Sequence, residues 1–534
     1  MILRSNFFAS IIAVFALAVV PSAAFAVACK TVPADAPVSP AEQAYRDGDG
    51  KRAMELYHSE LAANPQDLRL VYGFVQAALS QGSDDEARSV LGQHIPATSA
   101  WILIAQSQYA LRQGDFDRAR QYAFAAVKAD VCNAHAHLQA AEMLDFSAMY
   151  AQSKKQRLIA RTLDQSAPAT YWAWLRYQPA DVRLKEMKRM ADDTRTPAKW
   201  REFAAKAVGR LEARTAGGGH NCHLVSANAS SKTTMTALMG DGANVRAWGL
   251  SVKVNDHATT VLLDTGASGF VLNHAAAEKS GLKMVERGKY GGIGDNGPVN
   301  ISYAYADRIR IGDMEFSDCL VRVDDRRSVA GTQGLIGTDV FSEKLVTLDY
   351  PMREFRIAPL PGTAEQSNSI NTDGSSGSDA ETAEPTDAYD GPELKDYLNV
   401  YLASSKVILP LLLNSKPETM MMDTGSDGTL FDRSKAKEFT SVKLDSSYNG
   451  AIEGVSGKVK DVYLTGQVYI QMGPIAQYQN GAMAVNFNGP DEPQLAGLLG
   501  SSFLYNLVVD IDYRDARVRF TYDPLHGHNA VVHH

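Results

Sequence analysis

Two stretches of this sequence are near copies of each other. Val261-Leu262-Leu263-Asp264-Thr265-Gly266-Ala267-Ser268 returns as Met420-Met421-Met422-Asp423-Thr424-Gly425-Ser426-Asp427. In each, an apolar strand runs into an Asp-Thr-Gly turn, where glycine permits backbone angles that a Cβ forbids. One Asp-Thr-Gly says little, because Asp and Gly are common in any turn. Here each copy has companions at matching spacing. Gly334-Leu335-Ile336-Gly337 follows Asp264 at nearly the separation at which Gly497-Leu498-Leu499-Gly500 follows Asp423. Tyr290 stands as far past Asp264, to within a single position, as Tyr448 stands past Asp423. Each tyrosine leads a Gly-rich hairpin candidate, Gly291-Gly292-Ile293-Gly294-Asp295 or Asn449-Gly450-Ala451-Ile452-Glu453-Gly454. After the second Gly pair come Thr338-Asp339-Val340-Phe341 and Ser501-Ser502-Phe503-Leu504, then Asp349-Tyr350 and Asp512-Tyr513. The chain must therefore accommodate one β unit twice, over residues 224–361 and 392–525.

The segment between them, 362–391, is rich in Ser, Gly, Thr and acids. From Thr363 to Glu393 it holds eight Asp or Glu and no Lys or Arg, so it lacks the apolar surface to order itself and is expected to be a disordered acidic linker. The β units themselves show strand alternation, as in Leu250, Val252 and Val254.

Residues 29–215 have a different period. Gly48-Asp49 precedes Ala53, Tyr57, Leu61 and Pro65; Gly82 precedes Ala87 and Leu91; Gly114-Asp115-Phe116 precedes Ala119, Ala123 and Val127. The glycines Gly48, Gly82 and Gly114 recur at nearly equal intervals. Gly marks a turn between antiparallel helices, and Ala five residues on lets them pack closely. The pattern resembles tetratricopeptide repeats, whose period is about 34 residues. A fourth unit, Asn133–Leu163, is degenerate, and Asp181–Ala213 reads as a capping helix pair. Such a stack either offers a surface to a peptide or protein partner or supports the β region by packing on it.

At 534 residues the chain needs several cores, and a net charge of −8 argues against nucleic acid as a partner. Arg4, the apolar run Phe7–Val20, Pro21 and Ala24-Phe25-Ala26 have the layout of a secretory signal peptide over residues 1–28. The expected product is periplasmic or secreted, either soluble or lipid-anchored at Cys29, which follows Ala26-Val27-Ala28. Export permits disulfides, and Cys29, Cys132, Cys222 and Cys319 allow three full pairings. His220-Asn221-Cys222-His223 and the tail 526–534, with His526, His528, His533 and His534, carry ligand-type side chains. Free tails carry histidine without function, and neither a metal nor a cofactor is expected.

From Val245 to Tyr522, apart from the linker, the chain resembles the retropepsin-like and pepsin-like aspartic peptidases, in particular exported bacterial members with two lobes in one chain. The resemblance implies a multidomain fold: an N-terminal all-α helical-repeat solenoid and a C-terminal all-β bilobal acid-protease unit. It implies that Asp264 and Asp423 are the catalytic pair, one from each lobe. Thr265 and Thr424 would bond across to the opposite loop, Gly266 and Gly425 would allow close approach, and the hydroxyl of Ser426 would steady a carboxylate. Flaps bearing Tyr290, Gly292, Ile293, Tyr448, Gly450 and Ile452 would cover a peptide or protein substrate. The chemistry agrees, since amide hydrolysis needs a base for water and an acid for the carbonyl oxygen. Two adjacent carboxylates sharing one proton supply both. Retroviral enzymes have Arg after the second Gly pair, where Thr338 and Ser501 stand here, and that leaves Asp427 without its expected partner. The activity implied is that of an aspartic endopeptidase. The competing expectations are a non-catalytic peptide-binding module and a scaffold.

Overall fold

The computed structural model describes residues 29–94, 98–194, 196, 198–216, 223–225, 230–240, 245–290, 299–324, 331–362, 385–448, 452–454, 457–489 and 492–523. Residues 1–28 (read above as a signal peptide), Cys222, most of the acidic stretch, Gly292, Ile293, Gly450 and the histidine tail lie outside the described residues.

Helical repeats are followed by a β-rich region in two lobes. The helices run from Pro40–Arg46 to Ala198–Ala216. Asp49, Asp115 and Asn133 cap helices by accepting the backbone N–H three residues on, which satisfies a donor the helix start leaves open. Gly48, Gly82 and Gly114 have φ of 84°, 71° and 78°, the left-handed region that glycine enters without penalty. The fourth unit keeps this turn with Ala148 at φ 57°. Its glycine is missing, which is why the unit reads as degenerate, yet its helices Ala134–Phe146 and Tyr150–Leu163 form. Five residues after each turn stand Ala53, Ala87, Ala119 and Ser153, all with no exposed surface. Small side chains there bring paired helices together.

The start of the solenoid is tied back to its far end. Cys29 forms a disulfide with Cys132. Val32 exchanges backbone bonds with Leu163 and Gln165 (2.8 and 2.9 Å), the Arg46 guanidinium donates to the Ser166 carbonyl, and the Trp200 indole donates to the Arg46 carbonyl. The disulfide occupies the sulfur that the alternative of a lipid anchor at Cys29 would need.

Lobe 1 is built on a nine-stranded sheet and lobe 2 on a ten-stranded sheet. A six-stranded sheet joins them, in which Leu345–Asp349 of lobe 1 pairs antiparallel with Leu507–Asp512 of lobe 2, Val346 opposite Ile511 and Leu348 opposite Val509. These four side chains are buried in one core shared by both lobes. The acidic stretch ends in fixed structure rather than disorder. Asp387 accepts from the Gln152 backbone and side-chain amides, the Tyr389 N–H donates to Asp515, and Asp390 pairs with Arg517. Partners for Asp387 and Asp390, together with Ala388 packed against the shared core, order those residues.

The third repeat turn docks on lobe 2. Arg112 donates to the Gly489 and Glu492 carbonyls and pairs with Asp84, the Gln494 N–H donates to the Arg112 carbonyl, and the Thr419 hydroxyl donates to the Gly114 carbonyl. Phe116 stacks on Tyr401 at 4.6 Å, and the Tyr401 hydroxyl donates to Asp117 at 2.6 Å. The repeats thus support lobe 2 directly. A Cβ on Gly114 would lie 2.6 Å from the Gln494 carbonyl oxygen. Gly114→Ala is therefore expected to destabilise the whole chain by about 1–3 kcal/mol, from backbone strain plus a broken dock. Gly92→Ala, where a Cβ meets nothing within 4 Å, serves as the neutral control. Thermal melting of the two variants checks this.

Candidate active site

Each Asp-Thr-Gly loop is the end of a strand pinned from one side by its Gly-apolar-apolar-Gly partner. Strand His257–Asp264 pairs in parallel with Gly334–Gly337, placing Gly337 beside Asp264. Strand Lys416–Asp423 pairs the same way with Gly497–Gly500, placing Gly500 beside Asp423. Gly is required at these partners because backbone fills the space. A Cβ on Gly500 would lie 2.2 Å from the Gly428 carbonyl oxygen, and one on Gly337 would lie 2.6 Å from that of Ala267.

The two loops meet head to head. The Thr265 hydroxyl donates to the Met422 carbonyl at 2.8 Å and accepts the Thr424 N–H at 3.0 Å. The Thr424 hydroxyl donates to the Leu263 carbonyl at 2.9 Å and accepts the Thr265 N–H at 3.0 Å. Both threonines are buried, so each bond lies in a low-dielectric setting where losing a partner leaves an unsatisfied group. Gly266 and Gly425 allow the approach. A Cβ on Gly266 would stand 2.7 Å from the Asp423 carboxyl carbon, and one on Gly425 would stand 2.5 Å from that of Asp264. The Gly266 N–H donates to Asp264 at 2.8 Å, and the Gly425 N–H donates to Asp423 at 3.0 Å.

The carboxyls of Asp264 and Asp423 are hydrogen-bonded to each other. Burial and the neighbouring Asp423 push Asp264 well above the usual carboxylate range. Burial also raises Asp423, but there the bond from Asp264, the N–H groups of Gly425 and Ser426, and the charge of Lys406 all favour the ion. One proton held between the two carboxyls is the arrangement that these surroundings favour.

Around the pair, several residues depart from the sequence expectations. The Ser426 hydroxyl donates to the Gly428 carbonyl at 2.9 Å and not to a carboxylate; only its backbone N–H reaches Asp423. Asp427 is not without nearby positive charge. Arg246 of lobe 1 brings positive charge to it, partly offsetting the rise that burial imposes. Thr338, in the place of the retroviral arginine, makes a buried hydroxyl contact with Tyr513 of lobe 2. Ser501 bonds to the Asp427 and Arg246 carbonyls at 3.3 and 3.5 Å.

Asp339, Ser405 and Lys406 are not singled out by the motif. Asp339 is buried beside the first loop, accepts the Gly269 N–H at 3.0 Å, bonds to Ser405, and is pushed by burial up to about 7. Ser405 reaches from lobe 2 to the Ser268 hydroxyl. The sequence carries no motif for Ser405 or Lys406. The offset of 159 residues between Thr265 and Thr424 also maps Arg246 onto Ser405, Ala247 onto Lys406 and Ser268 onto Asp427.

The flap candidates fare differently from each other. Tyr290 ends a hairpin strand, Lys283–Tyr290, paired with Val299–Ile311, with Tyr290 opposite Val299. The last solenoid helix, Ala198–Ala216, lies alongside that strand. In lobe 2 the hairpin is short, Glu453–Gly454 against Gly457–Lys458. Tyr448 sits in a 3-10 turn and is 41% exposed, while Ile452 packs with Leu430, Val459, Val462, Val485 and Leu498. Those two side chains belong to the surface and to a lobe core. Among the described residues no group of His, Cys, Asp or Glu is placed to hold a metal.

Comparison with known proteins locates matches in three parts of the chain. A family model described as gag-polyprotein putative aspartyl protease matches residues 250–343, one described as aspartyl protease matches 409–503, and a tetratricopeptide-repeat model matches 44–108. No curated protein matches the chain. Two segments, one in each lobe, thus match aspartyl-protease models, behind a segment that matches a tetratricopeptide-repeat model.

Proposed function

We propose that this protein is an aspartic endopeptidase in which Asp264 and Asp423 activate one water and protonate the scissile carbonyl oxygen. The observation that carries this reading is the mutual contact of the two Asp-Thr-Gly loops. It brings two buried carboxyls within hydrogen-bonding distance and raises both. One carboxyl is then charged and one protonated over the same pH range. The ionised member takes a proton from water as it attacks, and the protonated member donates to the developing oxyanion.

The sign of the pH dependence follows. Hydrolysis fails when pH falls far enough to protonate both carboxyls, and fails again when pH rises through the elevated Asp264 value and ionises both. Because both groups are raised, the active window lies above the usual carboxylate range. Turnover of a mixed denatured-protein substrate from roughly pH 3 to pH 8, with and without a statine-type inhibitor, tests this. Inhibitor-insensitive cleavage, or none at any pH, would sink the reading.

The helical repeats hold lobe 2 and lie against the lobe 1 hairpin, which favours a supporting role with recruitment of substrate secondary to it. Export is part of the same proposal. The Cys29–Cys132 disulfide and the disulfide-bonded state of Cys319 suit an oxidising compartment. Amino-terminal sequencing of the protein from the cell envelope should find a chain that starts between Val27 and Cys29. An intact Met1 in the cytoplasm would contradict export.

A further inference from the structure

If the pair is a catalytic dyad, something must decide which aspartate carries the charge, because the Asp-Thr-Gly loops themselves are nearly symmetric. The adjacent strands are not symmetric. In lobe 2, strand Lys406–Leu413 runs antiparallel to Lys416–Asp423 with Ile408 opposite Met421 and Leu409 opposite Met420. The ladder closes there, Lys406 pairing instead with Ala403 and Asp423 with Gly500; continued by two residues, the same register brings Lys406 to the level of Asp423. In lobe 1 the corresponding ladder has Gly249 opposite Leu262, so Ala247 falls opposite Asp264. Ala247 has no exposed surface and packs with Leu238, Leu262 and Leu335. The strand beside Asp423 thus begins with a lysine at the level of the aspartate, and the strand beside Asp264 carries an alanine at the matching place.

We propose that Lys406 is the positioning residue that keeps the negative charge on Asp423 and leaves the proton on Asp264, an inference that rests on the dyad reading above. An ammonium beside one carboxylate favours its ionised form over that of a partner without such a neighbour. The Lys406 hairpin is braced on both sides. Tyr401, opposite Ile408, stacks on Phe116 of the solenoid and donates to Asp117. At the tip, Ser405 contacts Ser268 and Asp339 of lobe 1. Other groups facing the pair are the N–H groups of Gly266, Ala267, Gly425 and Ser426 together with buried Tyr513. Asp339 sits behind the first loop, and burial keeps its charge disfavoured at acid pH. Among these described groups, the positive charge of Lys406 acts on Asp423.

The test is the pH profile of Lys406→Met against Lys406→Arg, with Lys406→Gln in reserve should the Met variant fail to fold. In the Met variant the acidic limb of kcat/KM is expected to move up by about one pH unit, since Asp423 then ionises less readily. Lys406→Arg, which keeps the charge, should restore the wild-type limb. Carboxyl titration by NMR of full-length protein with labelled aspartate should show the lower step of the pair rising by the same amount. A Met profile that overlies the wild-type one, or a shift that Arg does not reverse, would overturn the proposal. If wild type hydrolyses nothing yet the titration step moves in Met and returns in Arg, the charge assignment stands and the peptidase reading falls.

Discussion

Asp264→Asn and Asp423→Asn should each lower kcat/KM by at least about 10²–10⁴-fold while leaving the fold intact. Asn keeps nearly the same shape but can neither ionise nor share the proton, so the acid–base pair is lost with its geometry largely in place. Stability should move in the opposite direction from activity at neutral pH. Both carboxyls are raised in the folded protein. A group with a raised folded value contributes stability that is present below its unfolded value and lost as pH rises through the folded one. At neutral pH the dyad is therefore a burden on the fold. Each Asn variant should melt at or above the wild-type temperature there, and the advantage should vanish in acid. Melting curves at both pH values, set beside kcat/KM, separate loss of chemistry from loss of structure. A variant with near-wild-type turnover would place the chemistry elsewhere.

Gly425→Ala and Gly266→Ala should be as damaging, for a steric reason. A Cβ at 425 would lie 2.5–2.8 Å from the Asp264 carboxyl atoms, and one at 266 would lie 2.7–3.1 Å from those of Asp423. The carboxyls on the other side are fixed by backbone N–H groups and by the threonine bonds, so the loops must part. Misplacing reacting groups by about 1 Å costs on the order of 10²-fold. Prying the interlocked threonines apart adds a stability loss of about 1–3 kcal/mol for each buried group left unpaired. Here, unlike in the Asn variants, activity and melting temperature should fall together. Gly428→Ala, where a Cβ would meet nothing within 4 Å, should leave both unchanged. Normal turnover in Gly425→Ala would mean that the loops stand further apart than described.

Much of this site was legible because its chemistry depends on local sequence. Asp-Thr-Gly and its glycine-flanked partner are each short, and every residue in them answers a constraint set by its neighbours. The helix turns were legible for the same reason, since a left-handed residue is best served by glycine; where Ala148 occupies that conformation, the repeat fades from view. What stayed hidden depends on contacts between distant segments. Ser426 reads as a carboxylate ligand, but its hydroxyl donates to the Gly428 carbonyl. The motif puts positive charge for Asp427 just after the second Gly pair, whereas here it comes from Arg246 on strand Val245–Val254 of the other lobe. Lys406 and Ser405 have no motif of their own and gain meaning only from strand register. The flap candidates match in spacing but not in structure, because Tyr448 is in a surface turn while Tyr290 ends a long strand.

In the proposed enzyme one chain builds one site from both of its lobes. The shared sheet across Val346–Asp349 and Val508–Ile511 supports it, and the measurement that tests it most directly is complementation. Asp264→Asn and Asp423→Asn proteins are unfolded, mixed in equal amounts, refolded together and assayed beside wild type treated the same way. If the lobes pair within a chain, every site in the mixture contains one Asn, so wild type should recover activity while the mixture stays at background. Activity regained by the mixture would show lobes pairing between chains, and activity in refolded Asp423→Asn alone would show that lobe 1 forms the site with a second copy of itself; either result contradicts the account.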